Sequence, residues 1–304
     1  MMTYPTHIVC PVDLSGTSAR ALAHAATLAR WYGADLTVMH VHQMLLSPLM
    51  TVGPYAGPAM PAAFSDAERA QLDAALAHFV AAHALPDVRV RTALVEHVNV
   101  AAAILSHVDQ VRADFVVIGT EGRSGLDRLL LGSVAERVLR KANCPVLTVP
   151  PHALPAPPFQ VSIREVLCPI DFSASGAVAL QWAASWGAKA GARVTALHVV
   201  ELGPEASDPP FAEYEALRDR LIRDARRTME STIPDTIREL DRFDDQIAVG
   251  RPATEILRVA EARSADLIVM GVRGRGAVDL AVFGSTTHQV VRRAACPVLA
   301  VHPE

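Results

Sequence analysis

The sequence lacks most of the features that mark secreted, membrane or nucleic-acid-binding proteins. It has only 4 cysteines in 304 residues, and none shows the Cys-x-x-Cys spacing of a metal or redox site. Its apolar runs are far shorter than the roughly 20 residues of a bilayer span. Acidic residues (32) outnumber lysine and arginine (28), so we predict no nucleic-acid or anionic-membrane partner. Because no charged leader with a long apolar segment is present, we expect a cytoplasmic location.

The remaining composition is that of a globular protein. Half of the residues are apolar (51%) and a fifth are charged (20%), and 304 residues suggest about two domains. Each cysteine lies beside a proline in a strand-like context. We therefore predict that Cys10, Cys144, Cys168 and Cys296 are buried, reduced thiols.

A glycine-spaced segment occurs twice. The segments 119–133 and 271–285 both read Gly, two residues, Gly, nine residues, Gly-Ser. Each follows a short apolar run and precedes Cys-Pro-Val-Leu. The chain is therefore a tandem duplication, which we divide into domains at 1–150 and 163–304, with a proline-rich linker at 151–162.

Within each copy, strand-like and helix-like patterns alternate. The strands are nearly continuous apolar runs, which indicates a parallel sheet buried on both faces. The first helical run of each copy ends in a glycine, Gly33 or Gly191, as a C-cap would. We predict an α/β fold of two tandem doubly wound sandwiches. Each is a five-stranded parallel sheet of order 3-2-1-4-5 with helices on both faces.

Ligands of such sheets bind beyond the carboxyl ends of the strands. Asp13 and Asp171 follow the first strands, whereas Gly119 and Gly271 end the fourth strands. If these strands are neighbours, the aspartates and glycines converge on one crevice. A carboxylate there can accept hydrogen bonds from ribose hydroxyls. The alternative is that each aspartate only caps the following helix.

The glycines and serines of the segments suit a phosphate. Glycine lets backbone N–H groups approach an anion and adopts positive φ at low cost. Ser133 and Ser285 fall at helix N-termini, where free N–H groups favour an anion. For Ser133 the alternative is a capping box with Glu136, which the second copy lacks because His288 stands there.

These motifs resemble a known family. Gly-x2-Gly-x9-Gly-Ser is similar to the ATP-binding signature of the universal stress protein family. The opening Pro-Val-Asp-Leu-Ser and Pro-Ile-Asp-Phe-Ser and the closing Cys-Pro-Val-Leu resemble the same family. The likeness covers both copies nearly end to end, so the chain resembles a tandem, ATP-binding universal stress protein.

The resemblance implies a nucleotide site in each copy. Asp13 and Asp171 would contact ribose or adenine. Val41 and Val199, at the ends of the second strands, would line the adenine pocket. The cofactor implied is ATP, ADP or AMP, with Mg²⁺ as a candidate companion ion.

The residues implied to hold the phosphates are the three glycines and the serine of each segment: Gly119, Gly122, Gly132, Ser133, Gly271, Gly274, Gly284 and Ser285. Val134 and Thr286 follow the serines and would add a backbone N–H. Arg123 and Arg275 could reach a phosphate, although a solvated loop position is an equally open reading.

The copies differ in two places near this site. The third helix starts with Gly250-Arg-Pro252 in the second copy but with Val98-Asn-Val100 in the first. Proline favours a helix start, so we expect the better start in the second copy. Glu121 stands where the second copy has an arginine. If Glu121 points inward, we expect the first site to be the weaker one.

The sequence predicts a binding protein rather than an enzyme. We find no Walker A motif, no dinucleotide fingerprint and no nucleophile with a base. His40-Val-His42 could be a metal pair, but the second copy keeps only His198, which favours a packing role. We predict an ATP-binding, nucleotide-dependent regulatory or protective protein of the stress response. The alternatives are a slow ATPase and an interaction scaffold in which nucleotide is structural.

The fifth strands, PVLTV and PVLAV, would be sheet edges that need a partner. The resemblance implies that they pair across a two-fold axis, which would make the two copies an internal pseudo-dimer. A homodimer of whole chains is also expected.

Overall fold

The computed structural model describes residues 4–44, 65–83, 87–121, 131–151, 161–202, 211–272 and 284–302. Four predicted site residues, Gly122, Arg123, Gly274 and Arg275, lie outside these ranges. The same holds for residues 152–160, most of the predicted linker.

The first repeat alternates strands and helices from β1 to β5. In chain order its elements are β1 (His7–Val12), α1 (Gly16–Tyr32), β2 (Asp35–Gln43), α2 (Asp66–His83), β3 (Val90–His97), α3 (Val100–Val111), β4 (Phe115–Gly119), α4 (Ser133–Lys141) and β5 (Val146–Val149).

The second repeat follows the same order with one additional short helix. Its elements are β6 (Glu165–Pro169), α5 (Ala174–Ala190), β7 (Arg193–Val200), α6 (Phe211–Thr232), α7 (Asp235–Arg238), β8 (Phe243–Val249), α8 (Pro252–Ala262), β9 (Leu267–Gly271), α9 (Ser285–Arg293) and β10 (Val298–Val301).

The first helix of each repeat has matching ends. Ser15 and Ser173 are the N-caps, and their hydroxyls accept hydrogen bonds from backbone N–H groups in the first turn. Gly33 and Gly191 end the helices with φ of 66° and 65°. This left-handed conformation costs glycine little, which confirms the predicted C-caps.

The chain forms two compact units, and their boundary does not follow the repeats. One unit spans Tyr4–Cys144 and contains parallel strands in the order β3-β2-β1-β4. The other begins at Pro145 and has the order β8-β7-β6-β9-β10-β5. The predicted α/β fold with strand order 3-2-1-4-5 is confirmed. β5, although part of the first repeat, belongs to the second unit.

β5 pairs antiparallel with β10, as the resemblance implied for the fifth strands. Val298 lies opposite Thr148, and Leu299 lies opposite Leu147. The hydroxyl of Thr148 also donates to the carbonyl oxygen of Val298 at 3.0 Å. Every residue of β5 and β10 is buried, so this pairing is part of the core of the second unit.

The four cysteines are free thiols. Cys10, Cys144 and Cys168 are buried as predicted, whereas Cys296 is only half-buried. Burial raises the pKa of Cys144 and Cys296 to about 12 and raises the pKa of Cys10 and Cys168 still further. The thiols are therefore protonated at neutral pH and poor nucleophiles. In the described part of the chain, no helix has the length and apolarity needed to span a membrane.

Candidate functional site

A cavity of about 570 Å³ lies at the carboxyl ends of β1, β2 and β4 in the first repeat. This volume falls within the range of small-molecule sites, roughly 300–1,000 Å³. The cavity brings together six residues predicted from the sequence: Asp13, Val41, Gly119, Gly132, Ser133 and Val134. Residues far apart in the chain thus meet at the strand ends, as the topology requires.

Asp13 presents one oxygen to its own loop and buries the other beside the cavity. Its Oδ1 accepts hydrogen bonds from the backbone N–H and the hydroxyl of Ser15, at 3.0 and 2.5 Å. Its Oδ2 is buried and has no hydrogen-bond partner among the described residues. A buried carboxylate oxygen without a partner is costly, so it is a place where a ligand hydroxyl would be stabilised.

The Asp13 carboxylate is ionised at neutral pH. Burial acts to raise its pKa, but the nearby hydroxyls of Ser15 and Ser18 and the Ser15 N–H together outweigh burial. The net result is a pKa below the usual value for aspartate. The side chain is therefore a hydrogen-bond acceptor only, which suits a ligand with paired hydroxyl groups.

The loop after Asp13 is strained. It does not have the geometry of the alternative in which the aspartate itself caps α1. The N-cap of α1 is Ser15, not Asp13. The aspartate accepts hydrogen bonds from this N-cap residue. Leu14, between them, has φ 64°, and Phe172 at the equivalent position has φ 61°. A non-glycine residue in this region costs about 1–2 kcal/mol. Such strain is commonly stored at functional sites.

Gly132 is required for space rather than for positive φ. Its φ is −57°, which any residue can adopt, so the expected conformational reason is wrong here. Its N–H donates to the carbonyl oxygen of Thr120 at 2.7 Å. A Cβ at Gly132 would lie 3.0 Å from that same oxygen. Glycine therefore lets the start of α4 approach the end of β4.

The alternative for Ser133, a capping box with Glu136 in which Ser133 is the N-cap, does not match the structure. Gly132 is the N-cap of α4, and Ser133 is the first helical residue. No side chain caps this helix. The first backbone N–H groups of an α-helix have no intrahelical acceptor, and the helix dipole is positive at this end. The N-terminus of α4 thus lies at the cavity with the free N–H groups and the dipole that favour an anion.

The cavity also has an apolar wall and an open strand edge. The wall includes Val12, Met39, Val41, Val100, Ile104 and Ile118. β1 ends at Val12, opposite His40, whereas β2 continues to Gln43 with β3 as its neighbour. Beyond His40, the β1-facing edge of β2 has no adjacent strand in the described chain. A flat aromatic base could lie against the apolar wall and hydrogen bond to this edge.

The ring of His40 is held by a backbone contact that the second repeat shares. Its Nδ1 lies 2.8 Å from the carbonyl oxygen of Val12, and His198 makes the same contact with Ile170. Because a carbonyl only accepts, Nδ1 must carry the hydrogen. Among the described residues, no group of three or more His, Cys, Asp or Glu could hold a metal ion.

Several cavity residues were not among the predicted nucleotide-binding residues. Ser18, Thr120 and Gln43 line the cavity, as do Glu121 and both histidines, which the sequence singled out for other reasons. The presence of a histidine at the same position of both copies, His40 and His198, could have indicated a cavity residue. Ser18 gives no such indication, because the second copy has Gly176 at that position.

The second repeat keeps the aspartate loop. Oδ1 of Asp171 accepts from the N–H and hydroxyl of Ser173, at 3.1 and 2.5 Å. The Phe172 ring stacks on the His198 ring with a centroid separation of 4.3 Å. Val199, predicted to line the adenine pocket, is half-buried next to His198.

The second repeat keeps the same helix start, but its first glycine is more tightly enclosed than that of the first repeat. Gly284 is the N-cap of α9, and its N–H donates to the carbonyl oxygen of Val272 at 2.8 Å. Ser285 and Thr286 are the first residues of that helix. A Cβ at Gly271 would lie 2.5 Å from Cβ of Ser175. At Gly119, by contrast, the nearest atom would be 3.6 Å away.

A model of the universal stress protein family matches two segments of the chain, residues 5–150 and 162–302. These segments correspond to the two repeats found in the sequence, and together they cover nearly the whole chain.

Individual proteins show the same likeness. A universal stress protein of Mycolicibacterium smegmatis is 29% identical over 300 residues, which are 97% of either chain. One of Thermus aquaticus is 42% identical over 111 residues, 36% of this chain and 78% of that protein. The solved structure of a universal stress protein from Archaeoglobus fulgidus matches with a TM-score of 0.64 at 22% identity and covers 98% of each chain. At this identity, the structural likeness establishes the fold.

Proposed function

This chain belongs to the universal stress protein family, and from that premise we propose that it binds an adenine nucleotide in the cavity of the first repeat. We propose that it acts in the stress response as a nucleotide-dependent regulatory or protective protein. The observation that carries the binding proposal is the buried Oδ2 of Asp13, which has no partner among the described residues.

Each part of an adenine nucleotide has a counterpart in the cavity. A ribose hydroxyl would donate to Oδ2 of Asp13. The phosphate would accept from the backbone N–H groups of Ser133 and Val134 at the start of α4. The base would lie on the apolar wall beside Val41 and hydrogen bond to the open edge of β2.

We further propose binding without rapid turnover. The titratable side chains that line the described cavity are Asp13, His40, His42 and Glu121, and Nδ1 of His40 already bonds to Val12. Incubation with radiolabelled ATP tests this proposal. Turnover that is abolished by substitution of Gly132 would establish the slow ATPase instead.

The binding proposal is tested with the variant Asp13→Asn. The amide keeps an oxygen for Ser15 but replaces the second oxygen by a donor, so a charge-assisted hydrogen bond to the ribose is lost. Such a bond contributes about 1.5–3 kcal/mol, which corresponds to a roughly ten- to hundredfold weaker affinity. Isothermal titration calorimetry with AMP, ADP and ATP measures the effect.

The control is Asp66→Asn, the same chemical change at an exposed position in the first turn of α2. The nucleotide affinity of this control variant should equal that of the unmodified protein. Native mass spectrometry of the purified protein reports any bound nucleotide and also tests the homodimer that we propose. If no adenine nucleotide binds or is released on denaturation, the proposed function is wrong.

A further inference from the structure

Ser15 connects the proposed ribose-binding carboxylate with the first helix. Its hydroxyl and its N–H both donate to Oδ1 of Asp13, at 2.5 and 3.0 Å. The oxygen of the same hydroxyl accepts the N–H of Ser18, in the first turn of α1, at 3.3 Å. The hydroxyl is therefore donor and acceptor at once, and one chain of hydrogen bonds runs from the start of the helix to the carboxylate.

The two bonds to Oδ1 hold the carboxylate of Asp13 in one orientation. A carboxylate that turns freely about its Cβ–Cγ bond can present either oxygen to a ligand. In Asp13 this rotation would break both bonds from Ser15. Oδ2, which is buried and has no partner among the described residues, is therefore the oxygen left for a ligand. Because this orientation exists before a ligand arrives, less entropy is lost on binding.

The bond from this hydroxyl to the carboxylate goes beyond what a helix start requires. An N-cap needs only an acceptor for an N–H of the first turn. Ser65, at the start of α2, is such an acceptor for the N–H of Glu68 at 3.3 Å, and its hydroxyl donates to Glu68 within the same turn. In the second repeat, the hydroxyl of Ser173 again donates to Oδ1 of an aspartate, Asp171, at 2.5 Å.

The Ser15 hydroxyl also favours the charged form of Asp13. Burial acts to raise the pKa of this carboxyl, and the hydroxyl makes the largest of the contributions that lower it. Hydrogen bonds to an ionised acceptor are roughly twice as strong as those between neutral groups. Loss of the hydroxyl should therefore weaken the bond to a ligand as well as release the orientation of the carboxylate.

We propose that Ser15 is a positioning residue of the first site. It holds the carboxylate of Asp13 so that Oδ2 accepts a ribose hydroxyl, and it thereby sets the preference of the site for ribonucleosides over nucleosides that lack these hydroxyls. This inference rests on the proposed function, because it concerns the same site.

Photolabelling of the full chain reads the first site separately from the second repeat. 2-Azidoadenosine is crosslinked, and labelled peptides of the first repeat are quantified while adenosine or 2′,3′-dideoxyadenosine competes. In the unmodified protein we expect adenosine to compete roughly ten- to hundredfold better, because only its ribose hydroxyls can donate to the charged acceptor. The ratio of the two apparent affinities is the quantity to follow.

Two variants remove the hydroxyl, and one keeps it. Ser15→Ala and Ser15→Gly should both reduce the ratio at least about threefold, since a typical hydrogen bond contributes on this scale. Glycine is the milder change, because it is tolerated at an N-cap. Ser15→Thr retains a hydroxyl and should retain the ratio. A role limited to the helix would weaken both nucleosides equally and leave the ratio unchanged.

The matched control is Ser65→Ala, which removes the hydroxyl that accepts an N–H at the start of α2. Ser65 does not line the described cavity. This variant should lose helix stability without a change in the ratio of the two nucleosides.

The outcomes separate this inference from the proposed function. If the first repeat of the unmodified protein shows no saturable labelling, the proposed function fails. If labelling is saturable but Ser15→Ala and Ser15→Gly leave the ratio unchanged, the positioning role is wrong and nucleotide binding stands. The role is equally wrong if Ser15→Thr lowers the ratio as far as Ser15→Ala does, or if Ser65→Ala lowers it too. A ratio near one in the unmodified protein would contradict the ribose contact of Asp13 and this inference with it.

Discussion

The buried imidazole of His24 in α1 should make the first repeat sensitive to acid. Its Nδ1 lies 3.0 Å from the carbonyl oxygen of Arg20, and the residue is only 5% exposed. Burial lowers its pKa from 6.5 to about 4, although the contact with Arg20 acts in the opposite direction. Between these two values the unfolded chain binds more protons than the folded chain, so stability rises with pH.

We predict that acidification from pH 7 to pH 4 lowers the free energy of unfolding by up to about 3 kcal/mol through His24. The variant His24→Phe cannot bind this proton and should lose that part of the pH dependence. The second repeat has the buried aromatic Trp182 at the equivalent position, which supports the choice of an aromatic replacement. Urea unfolding at a series of pH values measures the effect. Equal pH slopes in the two proteins would show that the proton binds elsewhere.

Residue roles at the site were only partly predictable. The duplication singled out Asp13, Gly132 and Ser133 because both copies keep them. It could not show that Gly132 is the helix cap, because that depends on the hydrogen bond to Thr120 across the loop. Nor could it show the left-handed Leu14, because leucine gives no local signal for that conformation.

The starts of α3 and α8 show how two sequences can begin the same element. Asn99 is the N-cap of α3, and its side-chain oxygen accepts the N–H of Ala102 at 3.0 Å. α8 has Pro252 in its first turn, and its N-cap, Arg251, makes no side-chain capping bond. Each start therefore has its own stabilising feature, a side-chain cap in the first repeat and a proline in the second, and the better start of the second repeat stays a prediction.

We predict that Asn99→Ala destabilises the protein by about 1 kcal/mol, since it removes the acceptor for a helix N–H. Arg251→Ala at the equivalent cap should cost much less, because no capping bond is lost there. Chemical denaturation of both variants provides the comparison. Equal losses would mean that the Asn99 side chain does not contribute as a cap.

Most element boundaries follow from the sequence alone. From the sequence we predict a long second helix in each repeat, around Asp66–His83 and at Phe211–Ser231. The first is found at those residues, and the second ends at Thr232. α7 was missed, because four residues after Pro234 are too few to show helical periodicity.

At the scale of the whole molecule, the repeats and the compact units are different divisions. Sequence comparison assigns β5 to the first repeat, but the compact unit that contains β5 begins at Pro145. Thr148 is buried, and its hydroxyl donates to Val298 in β10. Strand alternation predicted the sheet order, but it could not assign β5 to a unit, because that depends on contacts with residues distant in sequence.

We therefore predict that Thr148→Val loosens the second unit although it changes the first repeat. Valine keeps the shape but loses the hydrogen bond to Val298, at a cost of about 1 kcal/mol. Hydrogen exchange over β10 and β9 should become roughly fivefold faster, while exchange over β1 and β2 stays unchanged.

Thr37→Val is the matched control in the other unit. The Thr37 hydroxyl lies 2.8 Å from Nε2 of His7, so this variant should accelerate exchange over β1 and β2 but not over β10. If each variant accelerates exchange only in the unit that contains its hydrogen-bond partner, β5 belongs energetically to the second unit. If Thr148→Val instead accelerates exchange over β1 and β2, β5 is coupled to its own repeat, and the unit boundary at Pro145 has no energetic meaning.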